Sequence, residues 1–330
     1  MIPIRYVEPV FRPPSEAESL ILPVTDGCSW NQCTFCEMYQ APQKAFRARS
    51  EDEVLDSLRR TGELYGSQIR RVFLADGDAL VLPTRRLLAI LEAIRQHLPA
   101  VHRVSSYCLA RNLKKKSVAE LTELRAAGLS MAYLGAESGD DEVLAKVSKG
   151  ETFDTTREAL DKLGAAGITR SVMILNGLGG QQLSAQHADN SARLANATQP
   201  EYLSTLVVSF PNGEARFRAG FPGWEPLGQH GLFVEMERFL SQLELNRSVF
   251  RSDHASNILV LKGTLGADKA RLLEQVRQAI ASAINIDNLL QAVYFETGQP
   301  ANSLLPPLSW GYNPSLPMRQ PDLKRARQLL

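Results

Sequence analysis

Short apolar runs alternate with amphipathic segments along the first two hundred residues. Branched and aliphatic residues concentrate in six runs, which predict buried strands at 19–25, 69–76, 101–108, 129–137, 168–176 and 200–210. Between these runs apolar residues recur at helical spacing, which predicts helices at 51–66, 83–98, 117–128, 140–147, 153–167 and 184–197. Strands that alternate with helices in this way form parallel βαβ units, so the predicted fold class is α/β.

Each of these units is about 30 residues long, a length that suits either a barrel of (β/α) repeats or a doubly wound sheet. No sequence motif repeats at a fixed period, so only the structural pattern repeats.

The pattern changes after residue 210. Residues 211–231 are rich in Gly, Pro and aromatic residues and predict a long loop, followed by a helix at 232–244 and a strand-like pair at 247–263. We therefore expect an N-terminal extension at 1–18, a core at 19–210 and an appended α+β cover at 211–330.

Two features of the cover carry more specific expectations. The helix predicted at 267–284 should pack on the core, because its apolar residues recur at helical spacing: Leu272, Leu273, Val276, Ile280 and Ile284. The end of the chain is rich in proline and predicts an extended segment on the surface.

Composition narrows the possible environments. The formal net charge is +1, so no overall field points to nucleic acid or to an acidic partner. The first residues lack the apolar region of a signal peptide, and no apolar run reaches the roughly 18 residues of a membrane span. Four cysteines among 330 residues do not make a disulfide scaffold, which favours a reducing cytoplasm.

Three of the four cysteines lie within nine residues, just after the first predicted strand. Cys28, Cys33 and Cys36 have C-x4-C-x2-C spacing, at the strand end where active sites collect in both candidate folds. A zinc site would need a fourth ligand nearby, and none follows locally. A plant-type [2Fe–2S] site has this spacing, with Cys108 as the possible fourth ligand, but such carriers are built on small domains.

We favour a [4Fe–4S] cluster held by these three thiolates. Its fourth iron would stay open to a small molecule and could deliver an electron to that molecule.

The loop "CSWNQCTFC" resembles the cluster loop of the radical S-adenosylmethionine (SAM) enzymes. It keeps the aromatic residue before the last cysteine, Phe35, but has one residue more than the common C-x3-C-x2-C spacing. The segments "DGD" at 76–78, "YLGAESGDDEVLAKVSKG" at 133–150 and "VMILNGLGG" at 172–180 resemble later motifs of the elongator-like and B12-domain-like branches, in the same order. The resemblance covers about residues 19–210 and implies a partial (β/α)6 barrel with a [4Fe–4S] cluster and SAM as cofactors.

The resemblance also implies roles for individual residues. Phe35 would pack on the adenine of SAM, and main-chain groups near Met38 and Tyr39 would bind the adenine edge. Gly77 would allow close approach, and Asp76 or Asp78 would accept from the methionine ammonium. Ribose or ammonium contacts would come from Glu137. The turn beside adenine would be formed by three glycines: Gly177, Gly179 and Gly180.

Other polar residues have less specific expectations. Lys44, Arg47 and Arg49 follow the cysteine loop and could meet a carboxylate or a phosphate, but a solvated face is favoured. His187 is expected to be structural. The loop "RSDHASN" at 251–257 is the candidate for substrate contact, with His254 as its catalytic candidate, because polar loop residues often carry function. Cys108 is expected to be a buried thiol.

Two function classes stay open on the sequence. The first is a radical SAM enzyme that removes hydrogen from an unidentified small molecule or peptide and takes electrons from a flavodoxin or ferredoxin. The second is a non-catalytic iron–sulfur or zinc module for electron transfer or binding. Only Cys108 is left beyond the triad, whereas a second cluster usually needs three further cysteines, and we expect too few residues before the first strand for a B12-binding domain.

Overall fold

We analysed a computed structural model of the chain, and the structure describes residues 2–283. Within these residues, eight strands form one sheet in the order β1-β4-β5-β6-β7-β8-β9-β10, and a short β2–β3 pair stands apart. The strands are β1 Leu20–Pro23, β2 Thr25–Asp26, β3 Arg47–Ala48, β4 Arg71–Ala75, β5 Arg103–Cys108, β6 Leu129–Glu137, β7 Thr169–Asn176, β8 Tyr202–Val207, β9 Val249–Ser252 and β10 Leu261–Thr264.

Helices follow most of the strands. They are α1 Glu51–Tyr65, α2 Thr84–His97, α3 Ala110–Leu113, α4 Val118–Ala126, α5 Asp141–Lys146, α6 Phe153–Ala165, α7 Gly180–Thr198, α8 Ala215–Gly220, α9 Gln229–Gln242 and α10 Lys269–Ala283. Several begin at side chains that bind their first-turn amides: Ser50 accepts from Glu53 N–H and Asp140 from Val143 N–H. None of the described helices has both the length and the apolar character to cross a bilayer.

The main sheet is parallel from β1 to β9, and β10 runs antiparallel to β9 at the edge. Strands β1 and β10 are its two edges, so the sheet does not close. The carboxyl ends of the parallel strands therefore meet along one rim. This arrangement confirms the α/β prediction, with an open rather than a closed barrel.

Strand periodicity separates the two faces of the sheet. On one face Val72, Leu203 and Phe250 join helix residues in the main apolar core. On the other face Phe73, Met131 and Tyr133 form a separate cluster that contains strand residues only. The helices of the main core therefore cover one face. On the second face, the described helices reach only the residues nearest the carboxyl rim, where Leu175 and Leu206 pack with α5 and α8, and we call the rest of this face the helix-free face.

The region after residue 210 differs from the expected appended cover. Strand β9 pairs with β8 in parallel register and so extends the main sheet, while α9 packs against α7 and α10 against α9. The segment predicted as a continuous loop at 211–231 also contains α8. Residues 211–283 thus continue the α/β architecture at the edge of the sheet, and they share its core.

The predicted packing of the last described helix is confirmed. Leu272 and Val276 of α10 are fully buried, and Leu273 and Ile280 pack against the same core. Ile284 and the proline-rich end of the chain lie outside the described residues.

Candidate active site

The three clustered cysteines lie on an arm that leaves the rim immediately after β1. Strands β2 and β3 pair antiparallel and form the neck of this arm, which spans residues 27–46. Cys28, Cys33 and Cys36 are all unpaired and half-buried. The amide of Cys36 donates to the carbonyl of Cys33 at 3.2 Å, so the last two cysteines share a tight turn.

Buried ion pairs fix the neck of the arm. Asp26 contacts Arg49 at 2.8 Å and Arg47 at 2.7 Å, and the ammonium of Lys44 lies 2.5 Å from Asp76. Lys44 and Arg49 are almost completely buried, so the predicted solvated face is wrong for both. Arg47 is about half exposed and fits the prediction better. Lys44 and Arg49 can be buried because each pairs with an acid that is distant in sequence, Asp76 and Asp26 respectively.

A glycine contact holds the arm against the end of β4. Gly77 has φ of +70°, and a side-chain carbon there would lie 1.9 Å from the carbonyl oxygen of Gly27. Both the positive φ and the close approach require glycine. The "DGD" turn therefore touches the first residues of the cysteine loop, and the close approach that Gly77 allows is made to the main chain of Gly27.

The two acids of that turn bind protein groups. Asp78 accepts from Ser29 N–H at 2.7 Å, from Ser29 Oγ at 2.5 Å and from Asn112 at 2.8 Å. Asp76 pairs with Lys44, as described above. Burial raises the pKa of both carboxyls, and these donors act against that rise. In this structure both acids position the arm rather than face a ligand.

The other side of the arm is fastened to the segment after α5. Trp30 Nε1 donates to the carbonyl of Ser148 at 2.8 Å, and Thr34 N–H donates to the carbonyl of Val147 at 3.0 Å. The guanidinium of Arg111 stacks over the Trp30 ring, 3.5 Å from its centre. These contacts limit the freedom of the residues between the three cysteines.

The aromatic residues predicted to meet adenine have different surroundings. Phe35 is partly buried against an apolar cluster that includes Phe217 and Trp224. The hydroxyl of Tyr39 is buried and accepts from Gly77 N–H at 3.1 Å. The main chain of Met38 donates toward the Cys36 thiol. All three lie on the arm, and no contact tests their predicted adenine role.

A buried charged cluster lies beside the cysteines. The ammonium of Lys149 is 3.7 Å from Glu137 Oε1 and 3.8 Å from Glu151 Oε2, and almost none of it is exposed. Burial tends to lower the pKa of Lys149, but Glu151 and Glu137 outweigh it and raise that pKa. Burial raises the pKa of Glu137. A permanent cation therefore lies within electrostatic reach of the thiols.

Sequence reasoning identified Glu137 but not Lys149. The available signal was a lysine that closely follows the apolar Val147, in the segment after Glu137 that resembles a motif of the family. A single lysine just after a short helix is commonly a solvated residue. The burial of Lys149 could therefore not be predicted from the sequence.

The thiols fit an iron–sulfur cluster by their chemistry. Burial raises the pKa of Cys28 and Cys36, and raises the pKa of Cys33 to about 12 while Lys149 acts against it. Thiolate ligation must therefore release protons when a metal binds. No three Cys, His, Asp or Glu side chains within residues 2–283 converge on a single metal-ion position. In a [4Fe–4S] cluster each thiolate binds its own iron, so the triad need not converge on one point.

The glycine turn after β7 is organised by a residue that sequence reasoning missed. The buried Glu235 accepts from Gly177 N–H at 2.6 Å, from Asn176 at 2.7 Å and from Ser184 at 2.6 Å. Gly177 and Gly180 have positive φ, and Gly179 is in contact with α7. Glu235 lies on α9, far along the chain, and only the fold brings it to this turn.

The remaining predicted residues have other surroundings, although His187 Nε2 lies 3.9 Å from Oε1 of Glu235, which binds the glycine turn. His187 is buried and shares a hydrogen bond of 2.7 Å with Ser138, as expected for a structural histidine. Cys108 is buried and donates to the carbonyl of Leu109. His254 is exposed, and within residues 2–283 its ring bonds only to Ser256 of its own loop. Its catalytic role stays a prediction.

The chain is similar to a known protein family and to individual proteins. The model described as the Radical SAM superfamily matches residues 22–190, which run from the end of β1 through β7 and contain the cysteine arm. The heme chaperone HemW of Bacillus subtilis is 23% identical over 186 residues, 53% of this chain and 47% of that protein. Coproporphyrinogen III oxidase of Escherichia coli, described as a radical SAM enzyme, superposes with a TM-score of 0.52 at 16% identity, over 68% of this chain and 52% of that one.

The end of the chain has a separate similarity. Residues 267–330 match the model of bacterial extracellular solute-binding proteins, family 5 middle. The dipeptide-binding protein of Escherichia coli is 41% identical over 56 residues, 17% of this chain and 10% of that protein. The chain thus spans about half or less of the length of these two curated relatives.

Proposed function

This chain belongs to the radical SAM superfamily, and on that premise we propose that its cysteine arm activates SAM to remove a hydrogen atom from a substrate held against the open sheet. The protein is an enzyme of this superfamily, and its cofactors are a [4Fe–4S] cluster and SAM. When bound, they supply an electron and a sulfonium whose cleavage yields methionine and a 5′-deoxyadenosyl radical.

The arm carries the proposal. It presents three thiols at the carboxyl rim. Cys108, in contrast, is buried, and its thiol donates a hydrogen bond to the carbonyl of Leu109. Cys28, Cys33 and Cys36 would hold the cluster and leave one iron without a protein ligand. The contacts of Asp78, Lys44 and Trp30 would fix the arm so that the open iron keeps one direction.

The buried pair beside the thiols suits an amino acid ligand. Methionine carries an ammonium and a carboxylate on one carbon, and Glu137 and Lys149 present the complementary charges 3.7 Å apart. We therefore assign Glu137 to the ammonium and Lys149 to the carboxylate. Since Asp76 and Asp78 bind protein groups, they are reassigned from ammonium acceptors to positioning residues.

We assign the remaining cofactor contacts to residues that lie at the carboxyl rim. Phe35, Met38 and Tyr39 lie on the arm, and the turn of Gly177, Gly179 and Gly180 lies at the end of β7. Adenine and ribose would lie between these two groups, where the partly buried ring of Phe35 offers an aromatic surface.

A spectroscopic test separates cofactor binding from cluster assembly. SAM should change the electron paramagnetic resonance spectrum of the dithionite-reduced cluster, because it would ligate iron directly. Glu137→Gln should keep its iron content but weaken SAM binding roughly 10- to 150-fold, the equivalent of one charge-assisted hydrogen bond.

Glu142→Gln provides the matched control, because Glu142 is an exposed acid on α5 that pairs with Lys146. Its SAM affinity should equal that of the unmodified protein. A spectrum that SAM leaves unchanged in a fully loaded cluster would refute the proposed site.

The electron donor and compartment follow from the chemistry of the arm. Reduction of the cluster would need a low-potential carrier such as a flavodoxin or ferredoxin. Four free thiols, three of them half-buried at the rim, suit a reducing cytoplasm. The substrate, a small molecule or a peptide, is not identified by these features.

A further inference from the structure

The helix-free face of the sheet has an aromatic, partly open surface. We define this face by the alternate strand residues that form its cluster: Ile21, Phe73, Tyr107, Met131, Tyr133 and Tyr202. The Tyr107 ring meets Phe73 edge-on at 5.1 Å and Tyr133 at 6.2 Å. Tyr107 and Tyr202 are only partly buried, so apolar surface is available from Tyr107, near the rim that carries the cysteine arm, to Tyr202 at the amino end of β8.

Strand β9 adds a cation to the same face. Arg251 pairs in register with Ser204, and Ser204 pairs with Met173. The neighbours of Arg251 on the strand, Phe250 and Ser252, are buried, and Phe250 lies in the helix-covered core. Strand alternation therefore places Arg251 on the helix-free face, where it is exposed.

This cation has no balancing acid. Within residues 2–283, Arg251 forms neither a side-chain hydrogen bond nor an ion pair, while Lys262, directly opposite on β10, contacts Asp253 at 3.0 Å. Like charges directly opposite in an antiparallel pair destabilise a sheet. Asp253 already neutralises Lys262, so Arg251 is the member of this pair that has no acid partner among the described residues. An unpaired cation at the end of an aromatic surface is the arrangement expected where an anion binds.

The position also suits the chemistry proposed at the rim. Register links Arg251 through Ser204 and Met173 to Gly135, two residues before Glu137. Three strand spacings separate the two ends of this row, about 14 Å at 4.8 Å per strand. A substrate of moderate size would therefore reach from the cation to the cofactors.

We infer that Arg251, supported by Lys262, anchors an anionic group of the substrate, whose aromatic or apolar part lies against Tyr107 and Tyr202. This inference rests on the proposed function for its substrate, and it names the substrate class: an apolar or aromatic molecule with a carboxylate, sulfonate or phosphate group.

The test uses the aromatic anion 8-anilinonaphthalene-1-sulfonate and its uncharged relative N-phenyl-1-naphthylamine as fluorescent probes on the full chain. Arg251→Gln should weaken binding of the sulfonate about tenfold at low salt, and Arg251→Lys by less than about threefold. Binding of the uncharged probe should change little. Arg247→Gln is the matched control, because Arg247 is also exposed but precedes β9.

The inference is overturned if the sulfonate fails to bind, or if Arg251→Gln and Arg247→Gln change its affinity equally. Circular dichroism melts identify any variant that has lost its fold. If Arg251→Gln does not fold, the affinity of Arg251→Lys for the sulfonate is compared with that of the unmodified protein instead. The proposed function fails separately: unmodified protein that binds the sulfonate through Arg251 but never cleaves SAM would retain the anion site and lose the radical chemistry.

Discussion

Replacing any one of Cys28, Cys33 or Cys36 with alanine is expected to abolish the cluster. Each thiolate would bind a different iron, so no remaining thiol can substitute on the fixed arm. Anaerobically reconstituted protein should hold close to four iron and four sulfide per chain, and each variant should hold almost none. Iron and sulfide analysis with visible absorption measures the difference.

Cys108→Ala is the control for this result. Its thiol is buried on β5 and donates to Leu109, so the variant should keep its cluster. Loss of iron in Cys108→Ala, or stoichiometric zinc in the unmodified protein, would contradict three-thiolate ligation of a [4Fe–4S] cluster.

Replacing Lys149 with methionine should destabilise the fold strongly. The substitution leaves Glu137 and Glu151 buried without their shared cation, and removing one partner of a buried ion pair costs about 3–5 kcal/mol. The free energy of unfolding, measured in urea on metal-free protein, should fall by about this amount at pH 8.

The pH dependence has a defined sign. Without the lysine, the folded pKa of Glu137 rises further, while the unfolded value stays near 4.3. Above pH 4.3 the folded state would then bind more protons than the unfolded state, so the stability of the variant should decrease as pH rises. The deficit relative to unmodified protein should be smaller at pH 5 than at pH 8.

Lys149→Arg keeps the charge and is the matched control, with a smaller loss of stability from repacking. A Lys149→Met protein as stable as the unmodified one at pH 8 would show that the two carboxyls do not depend on this cation.

The strands of the core could be predicted because their apolar runs are continuous and end at turns. The runs at 129–137 and 168–176 correspond closely to β6 and β7. The order of motifs along the chain predicted the carboxyl rim as the site, and the structure brings the "DGD" turn against the cysteine arm. The local sequence was therefore sufficient to predict these strands and the position of the cysteine loop.

Burial of charged residues could not be predicted in the same way. Lys44 and Arg49 looked solvated because their partners, Asp76 and Asp26, lie on other strands. Glu235 binds the glycine turn from more than fifty residues away, and the cation Lys149 is enclosed by two acids of different segments. Such pairs depend on the tertiary fold, which periodicity does not determine.

Residues at the edge of the sheet were also difficult to assign from the sequence alone. Polar composition in "RSDHASN" predicted a substrate loop and favoured His254, yet that histidine is exposed and bonds within its loop. The pairing of β9 with β8 instead draws attention to Arg251, which begins the same segment. The similarity of residues 267–330 to solute-binding proteins was also not recognised from the sequence pattern.

The formation of 5′-deoxyadenosine tests the central claim most directly. Unmodified protein with a full cluster, reduced by dithionite and supplied with SAM, should produce 5′-deoxyadenosine and methionine in equal amounts, slowly even without substrate. Cys33→Ala protein treated identically should produce neither above background. Reduced, fully loaded protein that binds SAM but forms no 5′-deoxyadenosine would contradict the account.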